Sequence, residues 1–93
     1  MYLSADERRQ APILFHALQH GRDLVAAGER EREAVVSAMR TQVERAKDAK
    51  IDYAVAVNAE SLRETEMLNG TVLLALAVQF GRARLIDNVL ASA

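Results

Sequence analysis

Cysteine and tryptophan are absent from these 93 residues, and proline occurs once. Without thiols there is no disulfide and no thiolate metal site. A single short chain, near the lower end of what folds unaided, must therefore hold itself together by its core alone. Aromatic residues are scarce, two Tyr and two Phe, so that core is built mainly from Leu, Val, Ile and Ala. Charge of one sign is missing too: 12 basic residues face 13 acidic ones for a net charge of -1, which argues against a general nucleic-acid footprint or a membrane-attracting patch. No apolar run approaches the ~20 residues of a membrane span. The start, Met1-Tyr2-Leu3-Ser4-Ala5-Asp6, lacks the basic-then-apolar pattern of a secretion signal. The expectation is one soluble, cytoplasmic domain with no nucleic-acid or membrane partner.

What is present is clear periodicity. Ser4-Ala5-Asp6-Glu7 has the form of a capping box, in which the Ser4 hydroxyl accepts from the N–H of residue 7 and Glu7 reaches back to the N–H of Ser4. Leu14, Ala17, Leu18, Leu24 and Val25 recur at helical spacing across Gly21, with Gly28 as the stop. Pro12 interrupts this helix, predicting a kink or a first segment that ends near Gln10 and restarts at Pro12. A second helix is predicted from about Arg32 to Lys47, with Val35, Val36, Met39, Val43 and Ala46 on one stripe. The charged run from Glu29 to Glu33 at its start reads as a solvated approach to the helix, with acidic groups suited to the positive end of the dipole.

At Ile51 the period changes to two: Ile51, Tyr53, Val55 and Val57 alternate with Asp52, Ala54, Ala56 and Asn58, as in a strand with one covered face. Residues 58–70 are polar and turn-rich, with one apolar pair, Met67-Leu68, placed to cover a sheet edge. Val72 to Phe80 reads as a strand, with Val72, Leu74, Leu76, Val78 and Phe80 on its heavier face. A hairpin through Gly81-Arg82 then returns Arg84 to Leu90 antiparallel. The predicted fold is α+β, two helices packed on a three-stranded antiparallel sheet in the order ααβββ. The larger face of each strand is expected under the helices, and Val72–Phe80 at the centre.

Few constellations suggest chemistry. His16 and His20 stand one helical turn apart, but a zinc site needs a third protein ligand, and a surface pair is the plainer reading. Gly81-Arg82-Ala83-Arg84 could grip an anion; it opens a strand, so no helix N-terminus adds to it, and a hairpin turn is expected. Asp87 and Asn88 are adjacent in a strand and so point to opposite faces. One of them is therefore expected to be buried, hydrogen-bonded and structural. No Ser-His-Asp grouping, phosphate loop or pair of catalytic carboxylates is present, so no catalytic, cofactor-binding or metal residue is assigned. Taken by themselves the residues also suit a free-standing α+β protein-interaction module without catalysis.

Several segments, in order, resemble the C-terminal domain of the pantothenate synthetase (pantoate-beta-alanine ligase) family. These are Tyr2-Leu3-Ser4-Ala5-Asp6-Glu7-Arg8, Ala11-Pro12 with the helix after it, Ala27-Gly28-Glu29-Arg30, Ile51-Asp52-Tyr53-Ala54-Val55, and Leu74 to Val78 followed by Gly81 and Arg84-Leu85-Ile86-Asp87-Asn88. The resemblance implies an ATP-dependent, AMP-forming ligase that joins pantoate to beta-alanine through a pantoyl adenylate, with ATP and Mg2+ as its cofactors. It also implies that residues 1–93 are a lid domain, and that the N-terminal Rossmann-like nucleotide-binding domain is its partner. That domain's His-x-Gly-His and Ser-Ser-Arg-Asn motifs do not occur in this sequence, so the 93 residues alone are expected to be inactive. Tyr2 and Leu3 become hinge candidates, Arg84 an interdomain candidate, and exposed apolar surface is expected to make the isolated domain self-associate.

Overall fold

A computed structural model describes residues 3–93. The chain opens on the capping box: Glu7 N–H donates to Ser4 Oγ at 3.0 Å and Ser4 N–H to Glu7 Oε1 at 2.8 Å. Helix α1, Ala5–Gln10, ends where Pro12 cannot supply an N–H, and α2 restarts as Ile13–Ala26. The break came at the residue expected. Helix α2 closes in a Schellman motif: Glu29 N–H bonds Leu24 C=O at 2.9 Å and Gly28 N–H bonds Val25 C=O at 3.1 Å. Helix α3, Arg32–Glu44, is one turn shorter than predicted, and its stripe Val35, Val36, Met39 and Val43 is buried. Helix α1 differs from both: it buries no residue and is fastened by polar groups, Asp6 to Lys47 at 3.4 Å and Gln10 to Asp48.

Strands β1 (Ala49–Asn58), β2 (Thr71–Phe80) and β3 (Ala83–Ser92) form one antiparallel sheet in the order β1-β2-β3. Helices α2 and α3 cover one face, so the ααβββ layer structure stands. In β2 the heavy face points into the core as predicted, with Val72, Leu74, Leu76, Val78 and Phe80 all buried there. Gly81, at φ 58°, begins a two-residue turn with no positive φ at Arg82, the pattern of a type II′ hairpin. Burial of the β2 row and the helix stripes in one cluster supplies the main driving force for folding.

Strand β1 departs from the prediction. Ile51 pairs with Val78 but Tyr53 with Ala77, leaving Asp52 as the extra residue of a β-bulge. Beyond the bulge the pleat changes phase, so Ala54 and Ala56 lie under the helices opposite Leu76 and Leu74. Tyr53, Val55 and Val57 fall on the open face instead. The smaller residues are thus the covered ones. Leu68 is buried, and Met67 bridges to Glu31 in the α2–α3 connection rather than covering a sheet edge. Among the described residues no helix is long and apolar enough to cross a membrane.

Candidate interaction surface

The bulge has a chemical result on the open face. Arg84 of β3 donates from Nε to Asp52 Oδ2 at 2.7 Å, and its guanidinium carbon lies 6.0 Å from the Tyr53 ring centroid. The cluster spans the sheet from one edge strand to the other, crossing β2 where the small Ala77 stands between Tyr53 and Ile86. Charge assistance strengthens such a bond, although both groups are partly exposed, 49% for Arg84 and 34% for Asp52, which limits what the pair adds to stability.

The same end of the molecule carries the start of the chain. The Glu7 carboxylate lies directly against Gly81 of the hairpin, where a Cβ would collide with Oε2. Leu3 is half-buried and packs on the core. Leu3 and Arg84 therefore sit at one end of the sheet, joined through α1 and the hairpin, while Tyr2 lies outside the described residues. Sequence reasoning missed Asp52 as the partner of Arg84. The available signal was an acid interrupting an otherwise apolar alternation.

Asp87 and Asn88 do not behave as expected. The pleat does send them to opposite faces, Asp87 opposite Leu76 on the helix side and Asn88 opposite Ala75 on the open side, yet both are exposed. The strand assignment is right and the burial inference wrong, because β3 is an edge strand and α2 leaves its outer rim uncovered. Asp87 Oδ1 accepts the N–H of Asn88 at 2.8 Å. His16 is exposed, its ring edge-on to Phe15 at 5.8 Å. Among the described residues no group of three or more His, Cys, Asp or Glu side chains could hold a metal.

The chain's own acids stand at two of the three described helix starts. The positive end of α1 is taken by Glu7, and Glu29 Oε2 accepts the N–H groups of Arg30 at 3.1 Å and Glu31 at 3.3 Å before α3. Helix α2 follows Pro12, and its second amide, on Leu14, bonds Ala11 C=O at 3.2 Å. At the start of α1 and just before α3, amides that could otherwise meet an anion already bond a carboxylate of the chain itself.

The sequence profile of pantoate-beta-alanine ligase matches residues 1–90. The chain belongs to the pantoate-beta-alanine ligase family. Among similar members, the pantothenate synthetase of Moorella thermoacetica is 46% identical over 88 residues, covering 95% of this chain and 31% of that protein. The pantothenate synthetase of Bacillus subtilis strain 168 is 42% identical over 90 residues, covering 97% and 31%. A crystal structure of pantothenate synthetase from Thermus thermophilus superposes with a TM-score of 0.87 at 28% identity, covering 95% of this chain and 32% of that one. The chain thus spans about a third of the length of the ligases it matches, and its two-layer fold is part of theirs.

Proposed function

We propose that these residues are the C-terminal lid domain of a pantothenate synthetase. In this reading an N-terminal Rossmann-like domain carries the ATP and Mg2+ chemistry that forms pantoyl adenylate, from which the amine of beta-alanine displaces AMP in the cytoplasm. The observation that carries the proposal is the near-complete match of this chain to a third of its ligase relatives. The acids at the start of α1 and before α3 support placing the nucleotide elsewhere. A lid has a physical purpose here, since an acyl adenylate is lost to hydrolysis wherever water reaches it. Leu3, and Tyr2 before it, would carry the hinge, and the Arg84–Asp52–Tyr53 cluster the contact with the covered domain.

Domain exchange tests this. The matching third of the Bacillus subtilis enzyme is replaced by these 93 residues and the chimera is assayed for pantothenate in a strain that requires it. Growth is expected with the chimera and not with the enzyme lacking that third. A soluble, folded chimera that makes no pantothenate would overturn the proposal. Calorimetric titration of the 93-residue chain with ATP and Mg2+ is expected to show no micromolar binding, about -8 kcal/mol.

A further inference from the structure

Helix α1 is held to the molecule in a different way from every other element. No residue of Ala5–Gln10 is buried, and the core cluster starts at Leu14, with Leu3 and Ile13 packed at its border. The backbone divides at the same place. Ala11 donates its N–H to Glu7 C=O at 2.9 Å and accepts from Leu14 N–H at 3.2 Å, so its amide belongs to α1 and its carbonyl to α2. Pro12 has no N–H with which to carry the ladder across. Among the described residues no backbone hydrogen bond joins Ala5–Gln10 to α2.

What fastens α1 lies on its surface. Gln10 grips Asp48, Asp6 meets Lys47 at 3.4 Å, and the Glu7 carboxylate rests on Gly81; upstream, Leu3 is half-buried against the core. Exposed polar pairs add little to stability, whereas fixing each residue's backbone has an entropy cost that burial ordinarily offsets. Six residues are also too few to stay helical alone, even behind a capping box, because the first turn of a helix is unfavourable and short helices depend on tertiary contact. Docking and helix formation of α1 are therefore one event: off the surface, the segment is unfolded.

We propose that residues 3–11 form a two-state strap, latched and helical or released and unfolded, which turns on Ala11 while α2, α3 and the sheet stay folded. The buried cluster contains no residue of α1, so release leaves it complete and only Leu3 quits its border. Release also changes length. The six residues of α1 span about 9 Å as helix and up to about 20 Å extended, which adds about 10 Å to the reach of the chain before Ala11. The strap itself does not depend on the ligase reading. Its use rests on that reading: the strap then joins the lid to the Rossmann-like domain, and latching shortens the tether that holds the lid over the cleft.

Limited proteolysis of the 93-residue chain tests the strap, since Arg8 and Arg9 lie in α1 and trypsin cuts unfolded segments. Cleavage there is expected at least ten-fold faster than at Arg40, which is also exposed but lies in α3. The product that begins at Arg9 or Gln10 is expected to keep the sheet's circular dichroism and a cooperative melt. The sequence has no cysteine, so Gln10→Cys and Asp48→Cys can be bridged selectively with dibromobimane. The bridge should slow cleavage at Arg8 and Arg9 at least ten-fold relative to the same variant unbridged. Cleavage there that only keeps pace with Arg40, or that ignores the bridge, would overturn the strap. The tether is tested separately in the Bacillus subtilis chimera. Bridging the same pair is expected to cut the turnover of an active chimera at least ten-fold, while the reagent leaves a chimera without the two cysteines unaffected. Undiminished turnover of the bridged chimera refutes the tether, whereas an inactive unbridged chimera refutes the ligase reading and leaves the strap standing on the proteolysis.

Discussion

Gln10 and Asp48 hold each other in both directions: Gln10 Nε2 donates to Asp48 Oδ2 at 2.8 Å, and Gln10 Oε1 accepts the Asp48 backbone N–H at 3.0 Å. The two are 38 positions apart in sequence, so the clamp docks α1 to the turn before β1. Because α1 buries nothing, this clamp, the Asp6–Lys47 pair and the Glu7 carboxylate against Gly81 hold it in place. Gln10→Ala is expected to cost about 1 kcal/mol and to raise hydrogen exchange in α1 and at Asp48, leaving β2 amides as protected as before. Equal loss of protection in α1 and β2 would contradict the arrangement.

Gly81 and Glu7 are coupled. Gly81→Ala forces a side chain onto a left-handed backbone, costing about 1 to 2 kcal/mol, and also displaces the carboxylate that completes the Ser4 capping box. A total loss of roughly 2 kcal/mol or more is expected in denaturant melts. In a Glu7→Ala background the second part is already gone, so Gly81→Ala should cost less there.

Gly21 of α2 packs against α3 and β2: a Cβ there would stand 3.0 Å from Met39 Cγ and Sδ and 3.2 Å from Leu74 Cδ1. Gly21→Ala gains about 1 kcal/mol in helix propensity. Overpacking costs typically 1 to 3 kcal/mol, and the neighbours that would have to give, Met39 and Leu74, are both fully buried. The expected net result in denaturant melts is a loss of about 1 kcal/mol, smaller when combined with Met39→Ala, whose cavity admits the new methyl.

Asp6 carries the acid sensitivity of α1. Hydrogen bonds from Arg9 and then Lys47 hold its carboxyl below the ordinary 3.8. A carboxyl depressed in the folded state contributes stability above its unfolded value and loses it as pH falls through the lower, folded one. The carboxyl carbon of Asp6 should therefore titrate below 3.8 by NMR. Asp6→Asn should remove its share of the slope of stability against pH in that acid window.

Much of this fold was legible in the residues. Ser4 and Glu7 announced the helix start, Pro12 its break, Val35 to Val43 the buried stripe, and Gly81-Arg82 the hairpin, because each depends on neighbours within a few positions. Strand β1 was misread because alternation was carried straight through Asp52, and a bulge declares itself only against the partner strand. Asp87 and Asn88 were misjudged for a related reason. The pleat fixes which face a residue takes, whereas burial depends on how far α2 reaches over an outer strand. The Arg84–Asp52 contact joins residues 32 apart and needed both the sheet order and the bulge to be known.

Strand β1 sets ten residues against the nine from Val72 to Phe80. Every β1 residue except Asp52 has a partner across the ladder, so excising that one residue would leave all other pairings as they are and yield a regular strand. The core has no use for the extra position. Asp52 is in effect a splice in the backbone that mounts a carboxylate for Arg84. The brace between the outer strands could thus be gained or lost in a lineage by a single in-frame codon, with the packed interior unaltered.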